Sequence, residues 1–252
     1  MADRPPRGTY ELSSVDRALQ VLDILAATPR LRLAEISERL GANPSTVLRA
    51  LRVLEGRGLV RRAPTDVEYV LGARLVELGR AAVTSLDLAH ALREAARPVA
   101  ASLDATAHIG MVRAGMITVV DKIDPPRSPV QYSSVGSRMP LHATAAGKAA
   151  LALGARLEHA DLPAFTPRTI VHRSALDDDI ARTAARRYSI EFEEYHRGFA
   201  CVGSALAAGD DIHTVSISGS ADDPSTLEEW GARLRDAVDA VQREHRGAVR
   251  GL

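Results

Sequence analysis

One cysteine, Cys201, stands among 252 residues, so no disulfide can form within the chain and a reducing compartment is expected. Net charge is missing as well, because 32 Lys and Arg balance 32 Asp and Glu. No chain-wide field draws the protein to nucleic acid or membrane, and any such binding must come from a local patch. No run reaches the roughly 20 apolar residues that a membrane-spanning helix needs; the richest stretch, Ala143 to Gly154, is interrupted by Lys148. The opening MADRPPRGTYELSS has no apolar core of the signal-peptide kind, and a soluble cytoplasmic protein is the expectation. Internal repeats and low-complexity tracts are absent too. What remains is ordinary globular material, 46% hydrophobic and 25% charged, enough for one large domain or two small ones.

Residues 1–12 are polar, carry Pro5, Pro6 and Gly8, and read as a disordered arm. From Ser13 apolar residues recur at helical spacing, with Val15, Leu19, Leu22 and Leu25 or Ala26 as the inward stripe. Ser13 or Ser14 is the expected cap and Pro29 lies past the end. A short helix follows at 33–40, stopped by Gly41. Asn43-Pro44 then restarts a helix, with Asn43 as N-cap and Pro44 at the first helical position. That helix runs to about Gly56 with Val47, Leu51 and Leu54 inward. Two β-prone runs, 59–62 and 68–71, flank Pro64-Thr65-Asp66 and form a hairpin. Three helices and a hairpin in about 60 residues make the winged helix-turn-helix plan.

Charge within this stretch is lopsided. Between Asn43 and Arg62 stand Arg49, Arg52, Arg57, Arg61 and Arg62 against Glu55 alone. Arg49 and Arg52 share one side of the third helix, and Ser45 and Thr46 lie in its first turn, where free N–H groups and the helix dipole favour phosphate. A recognition helix presents its N-terminal residues to base edges in the major groove, so Asn43, Ser45, Thr46 and Arg49 are the candidates there, and Arg52 is a further DNA-binding candidate on the same side. Arginine suits guanine O6 and N7, and hydroxyls serve bases or phosphates. Arg61 and Arg62 on the hairpin would grip the phosphate backbone, positioning without specifying. The competing reading, an ordinary bundle with a solvated arginine face, does not account for the capped break and the hairpin.

Residues 72–104 return to helical spacing, read as a connecting helix and then the first helix of a second domain. Leu75, Leu78 and Ala82 give the connecting helix an apolar face, for a dimer contact or for packing within the chain. From Ala107 the texture mixes strands and helices. Strands are expected at 108–113, 117–123, 130–135, 190–194, 201–207 and 213–218, and helices at 144–153, 176–187 and 225–245. The class is α+β.

Several of these segments together resemble one family. SSVDRALQVLDILA, RLAEISERLGANPSTVLRALRVLEGRGLVRR and YVLGARLVELG look like the N-terminal domain of the IclR (isocitrate lyase regulator) family. VGSRMPLHATAAGKAALA (135–152), TPRTIVHRSALDDDIARTAARRYSIEFEEYHRGFAC (166–201) and VSISGS (215–220) resemble segments of its C-terminal domain. The resemblance spans residues 13–245 in order. It implies a winged helix-turn-helix over 13–72, a linker helix over 73–86 and a GAF-like α/β effector domain over 87–252. It also implies a homodimer or homotetramer that binds palindromic double-stranded DNA and represses or activates metabolic operons. The chain departs from the family after the cysteine: CVGSALAAGDDIHTV replaces an alanine-proline-valine followed by an aspartate-glycine turn, which bears on the turn near Gly209.

Carried over by position, the family's effector pocket falls on Ala145, Ala146, Glu191, Cys201, Ser216 and Ser218. The residues themselves agree in part. The small residues around Ala143–Gly147 leave helix-start N–H groups open to an anion, and Ser216 and Ser218 alternate onto one face of a strand. Met111, Met139 and Phe199 are candidate apolar walls. Together these favour a small organic acid, aromatic acids included. Glu191 sits awkwardly beside an acid unless a proton or donor intervenes; a ligand hydroxyl or amine, or an exposed strand position, are its other readings. Cys201 is equally readable as a buried small hydrophobe. His142 either fixes the loop before the helix or faces the pocket.

Two rival functions are weaker. Cys201 with His142 or His196 imitates a cysteine-histidine enzyme pair without any local signature. ATAAGKAA lacks the first glycine of a phosphate loop, where His142 stands, and has Ala149 after the lysine. No enzyme activity and no cofactor are expected. His142, His196, Cys201 and His213 would suffice in number for zinc, but their spacing offers no short-range ligand pair; no metal ligand set is assigned, and a zinc sensor of the same architecture is the alternative.

Overall fold

The computed structural model describes residues 14–64, 67–84, 87–125, 133–221 and 224–249. The chain divides into two compact units between Ala82 and Val83. The expected arm at 1–12 lies outside the described residues. Among those residues no helix is long and apolar enough to cross a membrane.

The first unit holds α1 (Ser14–Ala27), β1 (Leu31–Arg32), α2 (Leu33–Leu40), α3 (Pro44–Gly56), β2 (Val60–Arg62) and β3 (Glu68–Leu71). The three strands form an antiparallel sheet in the order β1-β3-β2. The core gathers Val21, Leu25, Leu31, Ile36, Val47, Leu51, Leu54, Val60 and Tyr69, each large aliphatic contributing about 1.5–3 kcal/mol by burial. In α1 the inward stripe is Ala18, Val21, Leu22 and Leu25, the i, i+3, i+4, i+7 set. Val15 and Leu19, expected inward, are instead 67% and 55% exposed: Leu19 lies about 100° around the helix from Ala18, and Val15 stands in the first turn at the helix end. The two-residue β1 had no hairpin signal in sequence; it exists by pairing with Glu68 and Tyr69.

The turn between α2 and α3 is closed from both sides. Gly41 takes φ +60 and donates to the Glu38 carbonyl at 3.1 Å, while Ala42 N–H donates to Ser37 at 3.0 Å, a Schellman closure that favours glycine. Asn43 then caps α3: its Oδ1 accepts from Ser45 N at 3.0 Å, with Pro44 in the first helical position.

α4 (Arg74–Thr84) runs from the first unit into the second. Leu75 is half-buried, while Leu78 and Ala82 are exposed in the single chain.

The second unit contains α5 (Asp87–Leu103), β4 (Thr106–Arg113), β5 (Met116–Ile123), β6 (Arg138–Pro140), α6 (Ala145–Ala152), α7 (Arg173–Arg186), β7 (Ser189–Phe192), β8 (Phe199–Ala208), β9 (Asp211–Ser220), a 3₁₀ turn and α8 (Leu227–Val249). One six-stranded antiparallel sheet runs β6-β5-β4-β9-β8-β7, and the protein is α+β. Alternation splits its residues between two faces. Ala107, Ile109, Val202, Val215 and Ile217 meet α5 and α8 through Leu92, Ala96, Leu234 and Val238. Ile117 faces the other way, toward Ala146 and Ala150 of α6 and Leu176 of α7. The expected strand at 130–135 falls partly outside the described residues; 133–135 is not strand, and the edge strand lies further on at Arg138–Pro140. β7 ends at Phe192 because Glu193 turns to φ +54.

At the departure from the family pattern, β8 and β9 pair without a break from Phe199↔Ser220 to Ala208↔Asp211. Gly209 supplies the positive φ of +59 at the first central position, the demand of a type II′ two-residue turn. The small residues of α6 have a direct cause. A Cβ on Gly203 of β8 would sit 2.5 Å from the Ala145 carbonyl carbon, and one on Gly147 would sit 2.3 Å from the Leu141 oxygen. The helix start therefore rests on the sheet backbone to backbone.

Candidate functional site

Two surfaces carry chemistry, one in each unit. On α3, Asn43, Ser45, Arg49 and Arg52 are exposed and Thr46 is half-buried. Asn43 and Ser45 are bound to each other, since Asn43 Oδ1 accepts from both Ser45 N and Ser45 Oγ at 3.0 Å. Arg49 and Arg52 project from the next turns. On β2, Arg61 is exposed, with Nη1 on the Arg62 carbonyl at 3.4 Å. Arg62 lies 5.1 Å over the Tyr69 ring, donates to the Tyr69 hydroxyl at 3.1 Å, and stands 3.8 Å from Glu55. Stacking and that bond hold Arg62 against its own hairpin, which limits its reach to a phosphate.

In the second unit a cavity of about 250 Å³ opens between the sheet and the start of α6. Its lining brings together the expected Met139, Ala145, Ala146, Glu191, Phe199, Cys201, Ser216 and Ser218. Register explains the meeting. Cys201 pairs with both Glu191 and Ser218, and Ser216 is opposite Gly203, so β7, β8 and β9 present these side chains on one face. Met111 is the exception. It shares strand parity with Ala107 and Ile109, which face α5 and α8, and it is absent from the cavity wall.

Thr144 opens α6. Its Oγ1 accepts from Gly147 N at 3.1 Å and donates to the Pro140 carbonyl at 2.7 Å, while Ala145 and Ala146 face the cavity. Ser189 Oγ ties the same helix start to the sheet, donating to the Ala145 carbonyl at 2.5 Å.

Glu191 is 2% exposed. Its Oε1 accepts from the Glu194 and Tyr195 N–H groups, the latter at 3.1 Å, because the Glu193 turn folds those amides back. Burial pushes its carboxyl up to about 7, against the bonds from Cys201 and the two amides. Cys201 Sγ also lies 3.1 Å from Ser218 Oγ, within hydrogen-bond reach; burial and the nearby Glu191 push that thiol well above its ordinary range. It is a thiol and not a thiolate, the wrong state for a nucleophile.

Sequence reasoning missed His108, Ser133, Ser137, Arg138, Thr144, Tyr195 and His196 in the wall. His108 is cross-strand from Ser216, and its Nε2 lies 2.6 Å from Ser133 Oγ. Burial, then Lys122, lowers it to about 4, so it is neutral. The Thr-Ala-Ala start of a helix was a readable cap signal for Thr144; His108 needed the β4–β9 register.

In the sequence Lys148 marks an interruption of an apolar run and the lysine of a failed phosphate-loop match. It is 1% exposed and its Nζ reaches Glu194 Oε1 at 2.6 Å and Asp179 Oδ2 at 2.9 Å. One buried cation thus joins α6 to α7 and to the loop that holds Glu191. Burial would raise Asp179, but Lys148 and Arg182 overcome it and keep it low. Burial raises Glu194 despite Lys148.

The residues considered for zinc do not converge. His142 donates Nε2–H to the Pro163 carbonyl at 3.0 Å, so it fixes the loop. His213 lies on the Val215 and Ile217 face, opposite Cys201. Among the described residues no group of three or more His, Cys, Asp or Glu is placed to hold a metal ion.

A helix-turn-helix with a hairpin wing and, in the same chain, a sheet domain enclosing a small-molecule cavity define a DNA-binding regulator with a ligand domain. The chain matches the family models for the IclR helix-turn-helix domain over residues 14–64 and the bacterial transcriptional regulator IclR C-terminal domain over residues 80–243. It belongs to the IclR family of transcription regulators. It is 32% identical to the HTH-type transcriptional regulator XynR of Escherichia coli, over 92% of this chain and 96% of that one. The IclR regulator structure from Alicyclobacillus acidocaldarius superposes with a TM-score of 0.80 at 26% identity, covering 92% and 98%. An IclR homologue from Microbacterium hydrocarbonoxydans, complexed with 4-hydroxybenzoate, shares the fold at 18% identity, with a TM-score of 0.74 and coverage of 90% and 100%.

Proposed function

We propose that residues 13–72 read an operator, residues 73–86 link, and residues 87–252 sense a small organic acid whose binding changes operator affinity. Asn43, Ser45, Thr46, Arg49 and Arg52 meet the major groove and the phosphates flanking it, and Arg61 grips the backbone with a lesser share from Arg62. The protein works in the cytoplasm as a homodimer or a dimer of dimers on a palindromic site, with half-sites spaced by about 10 bp or a multiple. The exposed Leu78 and Ala82 of α4 supply apolar surface for the contact between copies. Cys201 acts as a ligand contact and not as a nucleophile, so the protein is no enzyme.

The observation that carries the sensing role is the cavity itself. Ser216, Ser218 and the α6 start supply donors on one side, and Met139 and Phe199 supply apolar wall. Its size suits a metabolite smaller than a drug-like ligand. The 4-hydroxybenzoate complex of the Microbacterium homologue supports the inclusion of aromatic acids. A thermal-shift screen of metabolic and aromatic acids tests this. A ligand at 100 times its dissociation constant stabilises the native state by about 2.7 kcal/mol, and the hit must then alter operator binding in a gel shift. Stabilisation without any change in operator binding would refute the sensing role.

A further inference from the structure

The charge balance around Glu191 goes one step past the sensing role and rests on it. Among the described residues no cation is committed to this buried carboxyl. Lys148 of α6, the nearest buried cation, is shared between Glu194 and Asp179 of α7. His108 of β4 is neutral, and burial lowers His196 in the loop after β7. Cys201 of β8 keeps its proton, and burial raises Tyr195. Arg138 of β6 is exposed and donates to the Ala114 carbonyl at 3.4 Å.

The same cavity nonetheless asks for an anion. Ser216, 5% exposed and in the wall, has no hydrogen-bond partner among the described residues. The Thr144 side chain takes Gly147 N–H and leaves the α6 start open at Ala145 and Ala146, where the helix dipole favours negative charge. An anion and an ionised Glu191 inside about 250 Å³ would repel each other in a poorly screened space.

We propose that the cavity takes up a small monocarboxylate together with one proton, which Glu191 holds while the anion is bound. The proton comes from solvent and no covalent bond to the ligand forms. Protonation turns Glu191 from a repelling charge into an O–H donor, with Oε1 still accepting from the Glu194 and Tyr195 amides. Burial raises this carboxyl to about 7; a neighbouring anion raises it further. Affinity is therefore level below pH 7 and falls about tenfold per pH unit above it.

The test is calorimetry on the full chain from pH 6.0 to 8.5, in buffers of unequal ionisation enthalpy. The probe is whichever of acetate, lactate, benzoate or 4-hydroxybenzoate gives the largest thermal shift. The expected result is a loss of affinity above tenfold between pH 6 and pH 8.5, with proton uptake approaching one at the upper end. Glu191→Gln, a neutral isostere, should bind with no pH dependence; a folded variant that does not bind overturns the proposal. Should that variant fail to fold, wild-type proton uptake decides alone. Equal affinity at every pH without uptake overturns the proposal and leaves the sensing role intact. Binding of the corresponding amides in place of the acids, or of no probe at all, overturns the ligand class. Operator release is read separately, so a ligand that binds with proton uptake but never changes operator affinity sinks only the sensing role.

Discussion

Lys148 Nζ on α6 lies 2.6 Å from Glu194 Oε1, and both groups are buried. The lysine also holds Asp179 at 2.9 Å, so one ammonium is shared by two carboxylates inside the sheet-and-helix domain, with Arg182 a second cation on Asp179. Removing one partner of a buried ion pair costs about 3–5 kcal/mol, because the remaining charges are left uncompensated. Lys148→Met should therefore lower domain stability by about that amount in urea unfolding. Adding Glu194→Gln should recover part of the loss, since one orphaned carboxylate is removed with it.

Glu191 makes a second, pH-dependent prediction. Its folded-state value of about 7 stands above the ordinary 4.5, so the native state binds the proton more tightly than the unfolded chain. Between pH 4.5 and 7 stability falls as pH rises, and above 7 the full cost of a buried carboxylate is present, about 3 kcal/mol at 1.36 kcal/mol per unit. Glu191→Gln should raise the melting temperature at pH 8 by several degrees and leave it unchanged near pH 4. A gain of equal size at both pH values would contradict this assignment.

The serines of β9 should separate sensing from DNA binding. Ser216→Ala with Ser218→Ala removes two cavity hydroxyls while α3 and its arginines are untouched. Ligand-induced thermal shifts should shrink, and operator affinity without ligand should persist within about twofold. Loss of operator binding in the double variant would mark these serines as structural.

Arg49→Ala should cost about 1–3 kcal/mol in operator affinity and relax sequence preference at the base it meets. Arg61→Ala should weaken specific and non-specific duplexes alike and reduce the salt slope by about one. Arg62→Ala should change that slope less, because its guanidinium is already stacked on Tyr69 and bonded to it.

The helix-turn-helix was legible because its signals are local. Gly41, Asn43 and Pro44 mark a stop, a cap and a start within four residues, and each takes the conformation its chemistry prefers. The cavity was legible where side-chain identity and alternation agree, as with Ser216 and Ser218, while Cys201 was placed there by its position in the family resemblance. It failed where face assignment needs strand pairing. Met111 looked like an apolar wall but shares parity with Ile109, whereas His108, cross-strand from Ser216, carried no local mark. Lys148 was hidden for a related reason: its carboxylate partners are separated from it by 31 and 46 residues, counted from Asp179 and Glu194. In α1, Val15 and Leu19 satisfied a helical period that the core does not use.

The central claim is that occupation of this cavity changes the affinity of α3 for DNA. Fluorescence anisotropy tests it directly, with a duplex selected from random DNA by the protein itself, titrated with and without a saturating cavity ligand. The account predicts a shift in operator Kd of at least about fivefold, within the usual range of coupling free energies, and its disappearance in the Ser216→Ala, Ser218→Ala protein. An unchanged Kd while calorimetry shows the cavity filled would contradict it.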